Sequence, residues 1–446
     1  MPTGVGDEAV DPASGEALVT KVARYRLLAA LYGSQFIPLA FFLYGLTAVL
    51  RKRGVSLEQI ALIQLLGLAW VAKFAWAPLV DRYGWRRLGH YRGWLLVLQT
   101  LLVVAVLALV PLDAVQDLPL VVALAGAIAL LSATQDIAVD ATAVVLLTPT
   151  ERGVGNGIQK AGGYLGLLVG GGGVLVVYDR LGWAGALAVL AALTALPVPL
   201  LLGYREREVA PAVARLAVSF QALGSFFRQP GAARWALVVL PLYYLAIVMT
   251  YPLVTPMLVD AGWSLERIGA VAILGGGMVA MLAALASGAL LTTLGRRRTL
   301  VAFGAVQVAA LAALLPLARG VASPLSVLAA VGLLNVAYAA AGTAIYTINM
   351  DWSRARSAGT DYTLQDSFVH LWSQAAGAAG LALAGALGYT GVLGISMVIA
   401  LAGVVSASWL YRERPTPQPT ADAPARLPSP RSPSRNRHWP SSRQQR

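Results

Sequence analysis

The chain has 446 residues, of which 58% are hydrophobic and only 12% charged. A water-soluble protein of this length carries about a quarter charged residues, whereas here apolar blocks of roughly 18–25 residues follow one another almost without pause, so the bilayer is the solvent. The absence of cysteine excludes disulfides, thiolate catalysis and Cys-ligated metal centres, and His90, His370 and His438 are too few for metal work, so no cofactor and no metal site are expected.

A backbone in hydrocarbon must satisfy its own hydrogen bonds, and continuous apolar runs rather than ten-residue alternation select helices over a β-barrel. The expected fold class is an all-α membrane protein with twelve transmembrane helices in two pseudo-symmetric six-helix bundles. Residues 1–25 form a polar tail without a cleavable signal, because the first apolar run is too long for a signal core. Spans are expected near 27–50, 58–80, 94–112, 118–147, 157–178, 182–203, 235–258, 266–291, 299–317, 324–349, 359–387 and 390–411. The domains that follow are an N-terminal bundle over 26–203, a linker over 204–234, a C-terminal bundle over 235–411 and a disordered basic tail over 412–446.

Sorting Lys and Arg by loop places 26 of the 34 on the side of both termini and six on the other, leaving Lys73 and Lys160 within spans. By the positive-inside rule both termini are cytoplasmic. The net charge of +13 therefore reflects topology and the eight arginines of the tail, and nucleic acid is not an expected partner. An internal repeat supports the two halves. Gly54-Val-Ser-Leu-Glu-Gln-Ile60 recurs as Gly262-Trp-Ser-Leu-Glu-Arg-Ile268 at an offset of 208 residues, with Ser56 and Ser264 placed as helix N-caps. Paired halves of this kind are the layout of carriers that rock around a central site.

The second span ends in Trp76-Ala-Pro-Leu-Val-Asp81-Arg82-Tyr-Gly84-Trp-Arg86-Arg87. This resembles the loop 2–3 motif of the major facilitator superfamily, with Ala77 for its first Gly and Trp85 for a basic residue. Asp81 is placed to meet a helix N-terminus or an arginine of a neighbouring span and so lock the halves, while the arginines anchor the loop at the headgroups. Thr292 replaces the acid in the second half, so a weaker lock is expected there.

Span 4 holds Gln135, Asp136 and Asp140, the two acids on one helix face. A charged Asp in mid-bilayer costs roughly 2.5–3.5 kcal/mol on insertion scales, so both must face protein or a wet cavity. Counting back from the span ends gives Lys73 the depth of Asp140, predicting a Lys73–Asp140 pair with Asp136 free for solute or proton; a polar cluster that merely binds helices together is the alternative. Span 5 opens with Gly155-Asn-Gly-Ile-Gln159-Lys160, in which Gln159 is a ligand candidate and Lys160 is read as snorkelling to the interface. Span 11 carries a ladder of Tyr362, Asp366, His370 and Gln374, with Asp366 and His370 as proton-exchange candidates or as mutual partners.

Lys73-Phe-Ala-Trp-Ala-Pro-Leu-Val-Asp-Arg82, Ala133-Thr-Gln-Asp-Ile-Ala-Val-Asp140 and Glu151-Arg-Gly-Val-Gly-Asn-Gly-Ile-Gln159 look like the branch of that superfamily containing muropeptide permeases, acetyl-coenzyme A transporters and rhizobactin/pyochelin-type siderophore permeases. The Gly-rich span 5 is most similar to the siderophore permeases. The resemblance covers residues 26–411 and places Lys73, Gln135, Asp136, Asp140 and Gln159 on motif positions. It implies a transporter rather than an enzyme, working as a single polypeptide in the bacterial inner membrane, with a siderophore-like solute and protons as partners. A muropeptide or other amphiphilic solute is the alternative.

Overall fold

A computed structural model describes residues 12–56, 59, 60, 63, 65–85, 87–206 and 220–413. Arg86, most of the expected linker and the tail from 414 onward lie outside the described residues. Ten helical stretches organise the rest: α1 (Lys21–Lys52), α2 (Leu65–Ala75), α3 (His90–Ala108), α4 (Leu118–Leu146), α5 (Arg152–Gly203), α6 (Ala232–Asp260), α7 (Glu266–Leu294), α8 (Arg296–Ala318), α9 (Pro324–Trp352) and α10 (Ala355–Trp409). Among the described residues there is no strand, only an isolated bridge between Trp85 and Gly89.

Nine of these stretches, rather than the twelve expected spans, are long and apolar enough to cross a membrane. The difference has a local cause. α5 and α10 each take in two expected spans, and at the joint between the two a single glycine leaves helical geometry: Gly182 (φ 68°, ψ −168°) and Gly388 (φ 69°, ψ 168°). Left-handed φ of this kind is open to glycine at no steric cost. α2 is short because its region is broken into α-helical and 3₁₀ pieces, followed by the separate helix Ala77–Arg82.

The repeat is visible in the backbone. Gly54 and Gly262 both have positive φ, Val55 and Trp263 each donate back to the carbonyl five residues earlier, and Ser56 and Ser264 each accept from the N–H three residues on. Gly89 and Gly295 precede α3 and α8 with matching angles. The first turns of these helices donate to a distant acid in each half, Tyr91 and Arg92 to Glu206, and Arg297 to Glu413. An acid at a helix N-terminus takes up the orphan donors and opposes the dipole.

One end of the bundle, the basic face, carries Arg82, Arg87, Arg152, Arg296, Arg297 and Arg354. At the opposite end Lys52 pairs with Asp179 at 2.7 Å and Arg53 with Asp113 at 2.9 Å. The flanks present exposed Leu282, Leu325, Val398 and Trp409, an apolar exterior suited to lipid rather than water. α6 packs on α10, α1 on α5, and α5 on α7. The last contact is made by backbone: a Cβ on Gly153 would lie 2.6 Å from the Gly288 carbonyl oxygen, and one on Gly157 would lie 2.8 Å from that of Ala284. Small residues let helices approach in this way.

Candidate functional site

The 3₁₀ turn Lys73–Ala75 sets the fully buried Lys73 side chain between α4 and α10. Its Nζ donates to Asp136 and forms an ion pair with Asp366 at 2.6 Å. Asp136 also accepts from Gln35 of α1. Asp140, one turn along α4, is not the partner of Lys73, contrary to the depth estimate from the sequence. That estimate counted back from assumed span ends, and the four residues between Asp136 and Asp140, about 6 Å of helix, are no more than the shift in those ends that the broken helix before Ala77 brings. Asp140 instead accepts from Tyr32 at 2.8 Å and Gln159 at 2.9 Å on one oxygen, and its other oxygen is buried without a hydrogen-bond partner among the described residues.

Gln159 accepts in turn from Tyr362 at 3.0 Å. His370 Nε2 lies 3.6 Å from Asp366, within ion-pair reach but beyond a hydrogen bond. Carboxylate oxygens of Asp136, Asp140 and Asp366 come within 4.8 Å of one another, and the cation among them is the Lys73 ammonium. Three carboxylates against that ammonium sum to −2 when all are ionised. Buried net charge is costly, and bound protons would cancel it.

Asp136 and Asp366 of this cluster reach the floor of a cavity of about 340 Å³, lined also by Gln159, Lys160 and His370 together with Phe36, Tyr44, Trp70, Tyr164, Tyr338 and Tyr346. A second cavity, of about 360 Å³, shares Tyr44, Tyr164 and Leu167 with the first and reaches Thr255, Ala272 and Val331, away from the basic face. Lys160 does not snorkel to an interface: its ammonium lies 3.6 Å from the centroid of the Tyr346 ring. Four expected site residues do not line the cavity: Lys73 and Asp140 lie behind it, bonded to the lining residues Asp136, Asp366 and Gln159, and the other two are not brought to it. Gln135 turns toward α3 and donates to Gln99, and Gln374, one turn beyond His370, is exposed outside both linings.

At the basic face the site is sealed. Asp81 is fully buried and accepts from Gly359 N at 3.0 Å, Thr360 N at 2.7 Å and Thr360 Oγ1 at 2.6 Å, all at the start of α10, and from Tyr91 at 2.7 Å. An acid from the first half of the chain thus caps a helix of the second half. Gly84 leaves room for the His90 ring, whose Nδ1 an added Cβ would overlap, while Arg82 and Arg87 are exposed.

The second half contributes more than the Thr292 replacement implies. Asp351 pairs with Arg152 at 3.0 Å and Arg296 at 2.9 Å, and Arg296 also donates to the Pro149 carbonyl at 2.6 Å. The sequence reading missed Tyr32, Gln35, Tyr346 and Asp351. Tyr32 and Gln35, three residues apart inside an apolar run, were the available signal for the first two.

The family model described as Major Facilitator Superfamily matches residues 27–373. The anhydromuropeptide permease of Escherichia coli K12 is 36% identical over 277 residues, 61% of this chain and 56% of that permease, so the chain spans little more than half the length of that relative. A Rickettsia felis protein named as transporter AmpG 4 is 22% identical over 84% of this chain and 94% of its own. Among solved structures, a single-substitution variant of the E. coli fucose:proton symporter FucP superposes with a TM-score of 0.68 at 12% identity, covering 88% of this chain and all of that one. The human organic anion transporter MFSD10 gives 0.64 at 15% identity, over 87% and 99% of the two chains. The lock motif, the buried charge cluster and the all-helical bundle agree with the family match, and the chain belongs to the Major Facilitator Superfamily.

Proposed function

We propose that this protein is a proton-coupled permease for anhydromuropeptide-type solutes, working by alternating access in a bacterial inner membrane with the basic face toward the cytoplasm. The named relatives support the muropeptide side of the branch over the siderophore side that the sequence alone ranked first. The observation that carries the transport reading is the cluster of Lys73 with Asp136, Asp140 and Asp366, two of whose acids, Asp136 and Asp366, open onto a cavity sealed at one face. Aromatic walls suit the faces of sugar rings, and polar groups at the floor suit a peptide. In this reading protons neutralise the carboxylates, the solute settles between the halves, and the Asp81 and Asp351 contacts part to open the basic face. The loop asymmetry of Lys and Arg supports the orientation.

Uptake of labelled anhydromuropeptide into proteoliposomes tests this. A pH gradient, acid outside, should drive accumulation, a protonophore should abolish it, and Asp136→Asn should lose the dependence on the gradient. Accumulation indifferent to the gradient would remove the proton coupling. Transport of a ferric siderophore in place of the sugar-peptide would overturn the solute class.

A further inference from the structure

We infer that Lys160 is the receptor for a carboxylate on the transported solute, an assignment that rests on the reading above and deepens it. Lys73 is held by Asp136 and Asp366, and Asp140 accepts from Tyr32 and Gln159. Lys160 has no carboxylate oxygen within 4.0 Å among the described residues, although it lines the cavity. A lysine deep in a membrane protein is costly when unpaired and marks a functional position. Its single strong contact is the face of Tyr346. A cation–π contact orients an ammonium without neutralising it, and a desolvated carboxylate binds the same group more strongly.

Lys160 leaves α5 in the first half of the chain and runs against α9 in the second, where a Cβ on Gly342 would lie 3.2 Å from Lys160 Cε. The stem therefore passes over a glycine, and the ammonium stands where the halves meet. An anion bound there touches groups of both halves, and the aromatic wall beside it takes the uncharged part of the solute. Two protons on the three acids leave one carboxylate for Lys73, and the charge then left over at the floor is the positive one of Lys160, which selects an acid.

The test uses full-length protein in nanodiscs and two pairs of ligands. One pair is an anhydromuropeptide with free peptide carboxylates and its fully amidated form; the other is an N-acetylated aromatic amino acid and its amide. Wild type should bind each acid about tenfold or more tightly than its amide, the contribution of one charge-assisted hydrogen bond. Lys160→Gln should bring the acid down to the level of the amide and leave the amide unchanged, while Lys160→Arg should keep the preference. Equal weakening of acid and amide in Lys160→Gln, or an undiminished preference for the acid, would overturn the assignment. If neither sugar-peptide binds wild type, the proposed solute class falls, and the second pair decides Lys160 alone: no preference for its acid over its amide would overturn the receptor role.

Discussion

Replacing Asp81 with alanine should release the seal at the basic face. The carboxylate accepts three hydrogen bonds from the first turn of α10, at 2.6 to 3.0 Å, and two of the donors are backbone N–H groups that no other atom of the closed seam replaces. Hydrogen bonds to a charged acceptor contribute about 1.5–3 kcal/mol each, but opening rehydrates both the carboxylate and the helix end, so a net loss of about 2–4 kcal/mol for the closed form is expected. At about 1.4 kcal/mol per tenfold, the ratio of open to closed forms rises about 30- to 700-fold.

The chain has no cysteine, so a single introduced thiol reports this without background. Ser357→Cys places it in the seam, where Ser357 is 2% exposed, and Thr150→Cys, at an exposed position on the same face, serves as control. Labelling of Ser357→Cys by an impermeant maleimide should accelerate in the Asp81→Ala background while Thr150→Cys is unchanged. Equal rates at Ser357→Cys with and without Asp81 would refute the role of this acid as a lock.

Lys73→Met alone should destabilise the protein by about 3–5 kcal/mol, since it leaves buried carboxylates uncompensated; adding Asp136→Asn and Asp366→Asn should recover the melting temperature in detergent but not uptake. Gly288→Val puts carbon into a contact where even a Cβ would lie 2.5 Å from the Gly153 carbonyl oxygen, so the basic face cannot close, and the Ser357→Cys thiol should label rapidly without any change at Asp81. In the loop between α3 and α4, the backbone N–H groups of Gln116 and Val115, with Arg53, hold the Asp113 carboxyl down at about 2. Its folded value lies below the unfolded 3.8, so its contribution is present above about pH 4 and lost as pH falls toward 2. The melting-temperature advantage of wild type over Asp113→Asn should shrink across that window.

The class of fold was legible because hydrocarbon leaves the backbone few choices, and the repeat was legible because its turns need glycine at matching positions. The site was legible in its residue types but less so in its pairing. Asp136 and Asp140 share a helix face, which spacing reveals, but whether Lys73 meets one or the other turns on a few residues in where each span ends, and hydropathy does not fix a span end that closely. Gln135 shows the angular limit of a motif. It sits about 100° around α4 from Asp136, enough to turn it onto α3. Gln374 shows the axial limit, since eight residues of helix, about 12 Å, separate it from Asp366. The second lock was missed because Asp351 closes an apolar run where an acid looks like ordinary headgroup chemistry, and only packing brings Arg152 and Arg296 to it.

The bare contact of α5 with α7 has an electrical consequence. Where Gly153 and Gly288 meet with no side chain between them, the gap is narrower than a water molecule, so no file of water crosses this plug while it is shut. The plug is thus an insulator, and any membrane gradient that powers the carrier is not short-circuited through it between turnovers.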